Sequence, residues 1–144
     1  MKPVVNYRYE HGNSHKAEIF APKHIKRLGK ILSIEGYRWI STRSYMENGE
    51  RIAWRNTHER LRIRGENGQC IFDGVCWGYN GQGPRALAKI LIESGIDVGI
   101  ANFISKNAPR NHKKGCDWKI TIGTNTKIEE IKFNKSEPLL LFKN

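Results

Sequence analysis

The chain is short of cysteine, of acidic residues and of long apolar runs, and each shortage excludes something. Three cysteines (Cys70, Cys76 and Cys116) in 144 residues are too few, and odd in number, for a disulfide scaffold. They read as reduced thiols, as expected of a cytoplasmic protein. No apolar run approaches the ~18 residues of a membrane span. The opening stretch MKPVVNYRYE lacks the apolar segment of a secretory signal. Neither the phosphate-binding G-x-x-x-x-G-K-[ST] loop, the G-x-G-x-x-G dinucleotide fingerprint nor the G-x-S-x-G nucleophile elbow occurs. No cofactor and no metal are expected. Cys70 and Cys76 with His112 and Cys116 lack the tight C-x₂₋₄-C spacing of a zinc knuckle.

The acidic shortage is the informative one. Against 25 Lys and Arg stand 14 Asp and Glu, a net charge of +11. The excess is regional. Residues 22–64 hold 11 basic and 4 acidic residues, residues 65–105 hold 2 and 4, and residues 106–144 hold 9 and 4. Two basic regions thus flank a slightly acidic segment, and a field of that sign attracts polyanions, nucleic acid above all.

Local pattern predicts an α+β fold in a single domain over residues 1–144: antiparallel hairpins forming a sheet, with two or three helices. Residues 4–9 read as a strand whose hairpin partner is 15–20. Residues 21–36 read as a helix with Pro22 at its first position, Gly36 as its stop, and a basic face of Lys23, Lys26, Arg27 and Lys30. Strands are expected at 37–42, 51–65, 69–77 (one bent strand or two short ones), 117–124, 127–133 and 138–142. Turns are expected at 46–50 and around Asn67-Gly68. Two further helices follow, one opening at Pro84 and closing at Gly95, the other over 97–107 with Asp97 as its cap. Lys89 and Glu93, four apart, are expected to pair.

Within RLRIRG, residues 60–65, strand alternation puts Arg60, Arg62 and Arg64 on one face and Leu61 and Ile63 on the other. Three like charges on one strand face repel unless an anion or acidic partner relieves them. Aromatics are interleaved with arginines nearby, at Tyr37, Trp39, Tyr45 and Trp54 among Arg38, Arg43, Arg51 and Arg55. Trp39 and Trp54 read as core residues. The candidate nucleic-acid-binding residues are Lys23, Lys26, Arg27, Lys30, Arg43, Arg55, Arg60, Arg62, Arg64, Lys113 and Lys114. RNA and DNA are equally compatible with that set, as is a nucleoprotein complex.

The stretch CWGYNGQGPRALAKIL, residues 76–91, brings three glycines and a proline to the start of a helix. Gly81, Gln82, Gly83 and Arg85 form a candidate anion site there, because a helix start exposes unpaired N–H groups. The competing reading is a tight corner packed by Trp77 and Tyr79. The stretch resembles the W-G-Y-x-G-x-G-P-x-x-L-A-x-x-I-L signature of a small family of phage and bacterial proteins of unknown function. That resemblance covers Cys76 to Leu91 and implies an accessory protein of a phage or mobile element. Arg8, WISTR at 39–43 and IEE at 128–130 resemble, in order, the three motifs of ADP-ribosyltransferases, departing at Arg43 and in lacking Glu-x-Glu.

The leading expectation is therefore a non-enzymatic nucleic-acid-binding accessory protein, one form of which is an inhibitor of a CRISPR-type host defence. Two alternatives stand beside it. One is a nucleotide-binding protein or hydrolase using the turn at 78–84. The other is a protein that inhibits a nucleoprotein complex by direct protein contact.

Overall fold

The computed structural model describes residues 5–9, 14–111 and 115–134. They form an α+β domain in the order β1 (Val5–Tyr9), α1 (Ser14–Arg27), β2 (Ile31–Glu47), β3 (Glu50–Gly65), β4 (Gly68–Phe72), α2 (Gln82–Glu93), α3 (Val98–Asn107), β5 (Gly115–Ile122) and β6 (Ile128–Phe133). The six strands make one sheet in the order β1-β4-β3-β2-β5-β6. Every pairing is antiparallel except β1 with β4, which is parallel. No described helix is long and apolar enough to cross a membrane.

The N-terminal hairpin is replaced by a strand followed by a helix. Residues 15–20 are helical because the period that buries side chains is set by small residues: Ala17, Ala21, Ile25 and Leu28 enter the core, while Ile19 and Phe20 stay outside. Reading the large apolar residues as the inward ones made the segment look like a strand. Pro22 lies inside the helix rather than at its start. The helix stops at Arg27 because Gly29 adopts φ +70, a left-handed conformation that glycine takes without strain. Ile31 to Gly36 are consequently strand, and Gly36 is fixed by packing: the Trp118 indole occupies the space its Cβ would need.

Two strands depart from expectation. The one expected over 69–77 ends at Phe72, with 73–77 outside any strand, because Gly74 takes φ +83 and breaks the extended run. The one expected at 37–42 is the middle of the longer β2. Asn48 (φ 51) and Gly49 (φ 80) form the two-residue turn of the β2–β3 hairpin, matching the twist of the strands it joins. Glu66 and Asn67 form the next turn, between the paired Gly65 and Gly68, one residue earlier than expected. The Asp97 carboxylate accepts from the N–H groups of Gly99 and Ile100 at 3.0 and 3.4 Å, capping α3. Lys89 departs from expectation, reaching Glu18 of α1 at 3.5 Å. The expected strand at 138–142 lies outside the described residues.

Strand register sorts the sheet into two faces. On one, Ile34, Leu61, Ile63, Cys70, Phe72, Trp118 and Ile120 are buried with the apolar sides of the helices, including Leu28, Leu87, Leu91 and Ile104. Burial at ~25 cal/mol per Å² of apolar surface makes this layer the main source of stability. The opposite face carries Arg60, Arg62, Arg64, Glu35, Tyr37, Lys119 and Lys132. None of these is fully buried, and no described element packs on that face.

Candidate functional site

Across the open face the strands align their side chains in transverse rows. One row reads Ile71, Arg62, Glu35, Lys119, Lys132, and the next reads Gln69, Arg64, Ser33, Thr121, Glu130. The arginine row is relieved from within the chain. Arg60 Nε donates to Asp73 Oδ1 at 2.7 Å, Arg62 Nη1 donates to Glu35 Oε1 at 2.8 Å, and Arg64 stands 4.0 Å from the same oxygen. Arg62 also lies over the Tyr37 ring, 4.6 Å from its centroid.

Lys119 and Lys132 are different. They sit directly opposite each other on β5 and β6, and neither has an ion-pair partner among the described residues. Like charges so placed destabilise a sheet. With Glu35, Cys116 and Asn134 they line a shallow concavity of about 350 Å³. Burial and the nearby Glu35 carboxylate push the Cys116 thiol up to about 11, which disfavours the reactive thiolate.

The same face continues onto an arm. β2 meets β5 only as far as Arg38, and β3 meets β4 only from Leu61, so pairs 39–58 to 47–50 form a two-stranded ribbon with no third described strand. Nine residues of antiparallel strand extend about 30 Å. The register puts Arg43, Tyr45, Ile52 and Trp54 on the face that carries the arginine row. Tyr45 and Trp54 are 46% and 39% exposed, their rings edge to face with centroids 5.3 Å apart. At 39% exposed, Trp54 is therefore not a core residue, and no described element lies beneath the arm to receive it. The side chain of Trp39 lies outside the described residues. Ser41 Oγ and His58 Nε2 are 3.0 Å apart between the arm and the sheet.

The expected basic surface is divided. Lys23, Lys26 and Arg27 are exposed on α1, which packs on the other face of the sheet. Lys30 follows the helix rather than belonging to it, and its Nζ donates to the Thr124 carbonyl. Arg43 is exposed on the arm. Arg55 lies on β3, while its side chain, like Lys113 and Lys114, falls outside the described residues.

The glycine turn is a fastened corner. Gly78 has φ +89, and a Cβ there would come within 2.7 Å of Arg110 Cγ and 2.8 Å of the Ala108 carbonyl. The Tyr79 ring fills the space above Gly81, and Cys76 Sγ fills that above Gly83. Tyr79 Oη and Cys76 Sγ are 2.9 Å apart. Burial raises the Cys76 thiol pKa. Of the early N–H groups of α2, Pro84 has none and Arg85 N donates back to the Gly81 carbonyl at 3.1 Å. These glycines serve internal close approach. Trp77 Nε1 donates to buried Asp117 at 2.9 Å, Asp117 binds Arg38, and Arg38 and Arg110 share Glu59 at 3.2 and 3.1 Å. Arg110 then lies over Tyr79, 5.1 Å from the ring centroid. The arrangement closes a loop through the turn, β2, β3 and β5.

The three motifs resembling ADP-ribosyltransferases do not converge, since β1 and β6 are opposite edges of the sheet, five strand spacings or about 24 Å apart. Among the described residues no group of three His, Cys, Asp or Glu could hold a metal ion. No family model, curated protein or solved structure matches this chain.

Proposed function

We propose that the protein binds nucleic acid through the helix-free face of its sheet and the arm that prolongs it. The observation that carries this reading is the register of β2, β3, β5 and β6. It aligns Lys119, Lys132, Arg64, Arg43, Tyr45 and Trp54 on one continuous face that no described element covers. Lys119, Lys132 and Arg43, with no ion-pair partner among the described residues, and the half-exposed Arg64 supply phosphate contacts, and the chain's charge of +11 supplies the long-range attraction. The resemblance of Cys76–Leu91 to phage and bacterial proteins suggests the setting, an accessory protein of a phage or mobile element acting in the cytoplasm.

The test is fluorescence anisotropy with labelled RNA and DNA titrated from about 50 to 200 mM salt. A steep log–log fall in affinity supports the reading, and binding that is feeble throughout rejects it. A nucleotide held at residues 78–84 is disfavoured by the filling of that turn by Tyr79 and Cys76. A second reading, inhibition of a nucleoprotein complex through protein contact, is favoured by the 64% exposed Met46 on the other face of the arm. Tight capture of a ribonucleoprotein together with feeble binding of free nucleic acid selects it.

A further inference from the structure

We infer that the nucleic acid bound on this face is single-stranded, and that unpaired bases stack on Trp54 and Tyr45 of the arm. The inference rests on the nucleic-acid reading and adds the conformation of the ligand and the residues that select it.

Three observations carry it. The first is the exposed aromatic pair. An edge-to-face arrangement, here with planes at 66°, covers at most one face of one ring and leaves the other faces available. Base stacking needs a base released from its duplex partner, and every base offers a π-face, so such a platform is tolerant of sequence. Arg43, directly opposite Trp54 in the register, places a cation beside it for the adjoining phosphate.

The second is the sign of charge at the tip. Glu47 and Glu50 pair directly across the turn, and the Tyr45 hydroxyl donates to Glu47 at 3.3 Å. A two-stranded ribbon fits a major groove in principle. Two carboxylates leading that ribbon would meet the phosphates walling the groove, and like charges repel.

The third is spacing. The lysine pair lies in the row of Glu35 and the aromatic pair beside Tyr45, about 34 Å apart along β2. Ser41 and His58 lie between them on this face, and no described element blocks the way. An extended strand can follow that path with phosphates at Lys119 and Lys132 and bases at Trp54.

The experiment measures anisotropy of labelled single strands and duplexes of equal length, as both RNA and DNA. The proteins are the full chain, Trp54→Ala, Trp54→Phe and the double variant Lys119→Ala/Lys132→Ala, each checked for folding by circular dichroism. Single strands should bind at least about 10-fold tighter than duplexes. Trp54→Ala should weaken single-strand binding about 5- to 100-fold with the salt slope unchanged, and Trp54→Phe should recover most of the loss. The lysine variant should instead lower the salt slope. The Trp fluorescence quenched by a single strand should fall in Trp54→Phe. Salt-dependent binding that favours duplex, or that ignores Trp54→Ala in a folded protein, overturns this inference and leaves the nucleic-acid reading standing. Absence of salt-dependent binding to any of the four ligands overturns both.

Discussion

The Asp117 carboxylate, wholly buried, receives Nε and Nη2 of Arg38 at 3.2 and 3.1 Å. Trp77 Nε1 donates to the same carboxylate oxygen at 2.9 Å, and Asn111 Nδ2 donates to the other at 2.8 Å. Both oxygens of this charge thus accept from N–H donors, which is the condition under which a buried ion pair is tolerated. The pair ties β2 to β5 and both to the glycine corner, at the point where the arm leaves the sheet.

Breaking that pair from one side should therefore be costly. Asp117→Ala leaves the buried guanidinium of Arg38 with Glu59 alone, and Arg38→Met leaves the buried carboxylate with only the neutral donors of Trp77 and Asn111. Each is expected to lower unfolding free energy by about 3–5 kcal/mol. In urea titrations the double variant Arg38→Met/Asp117→Ala should lose clearly less than the two singles added together, since neither charge is left alone. Additive losses would show that the two groups act independently.

Gly83 offers a test whose sign runs against ordinary helix behaviour. In most helices Gly→Ala gains up to about 1 kcal/mol. Here the new Cβ would overlap Cys76 Sγ, so Gly83→Ala should lose about 1–3 kcal/mol through overpacking. Cys76→Ala removes the sulfur, and the Gly83→Ala/Cys76→Ala double variant should regain most of the loss in thermal melts. A stabilised single variant would mean the corner is not packed as described.

Arginines of the open face should separate from its lysines. Arg60 is 12% exposed and held by Asp73, so Arg60→Ala should reduce stability while changing nucleic-acid affinity by less than about threefold. Lys119→Ala and Lys132→Ala should each reduce the salt slope by nearly one. Because each variant also removes a like-charge opposition, stability should be unchanged or slightly improved. Melting temperatures and salt-titrated anisotropy on the same samples distinguish the two patterns. Equal affinity losses at Arg60 and Lys132 would contradict the division.

Much of this was legible in the sequence wherever a local rule governed. The turn expected at 46–50 is there, closed by Asn48 and Gly49, Asp97 announced its cap, and alternation in RLRIRG its two faces. What was not legible depended on neighbours far along the chain. Arg60, Arg62 and Arg64 looked like unrelieved charge because Glu35 and Asp73 reach them only through strand pairing. Residues 15–20 hid a helix because Ala17 and Ala21 bury while Ile19 does not. Trp54 looked like core because nothing local says that the hairpin outruns its sheet by nine residue pairs. Lys119 and Lys132 went unnoticed because each is an isolated lysine until β5 and β6 are set in register. The alternation within DWKITI and IEEIKF, once aligned as a hairpin, was the signal that could have found them.

Acidification supplies the last test. His24, buried on α1 against the edge of Phe72, has its pKa lowered from 6.5 by burial first and by the charges of Arg27 and Lys23 second. A histidine whose folded pKa is depressed takes up its proton more readily in the unfolded chain. The unfolded state then binds more protons as pH falls below 6.5, and stability declines through that window until the folded pKa is passed. His24→Gln removes this titration while keeping a polar side chain of similar length. Urea unfolding at pH 7.5 and at pH 5 should show wild type losing more stability on acidification than the variant does. Identical losses would place the pH sensitivity elsewhere in the fold.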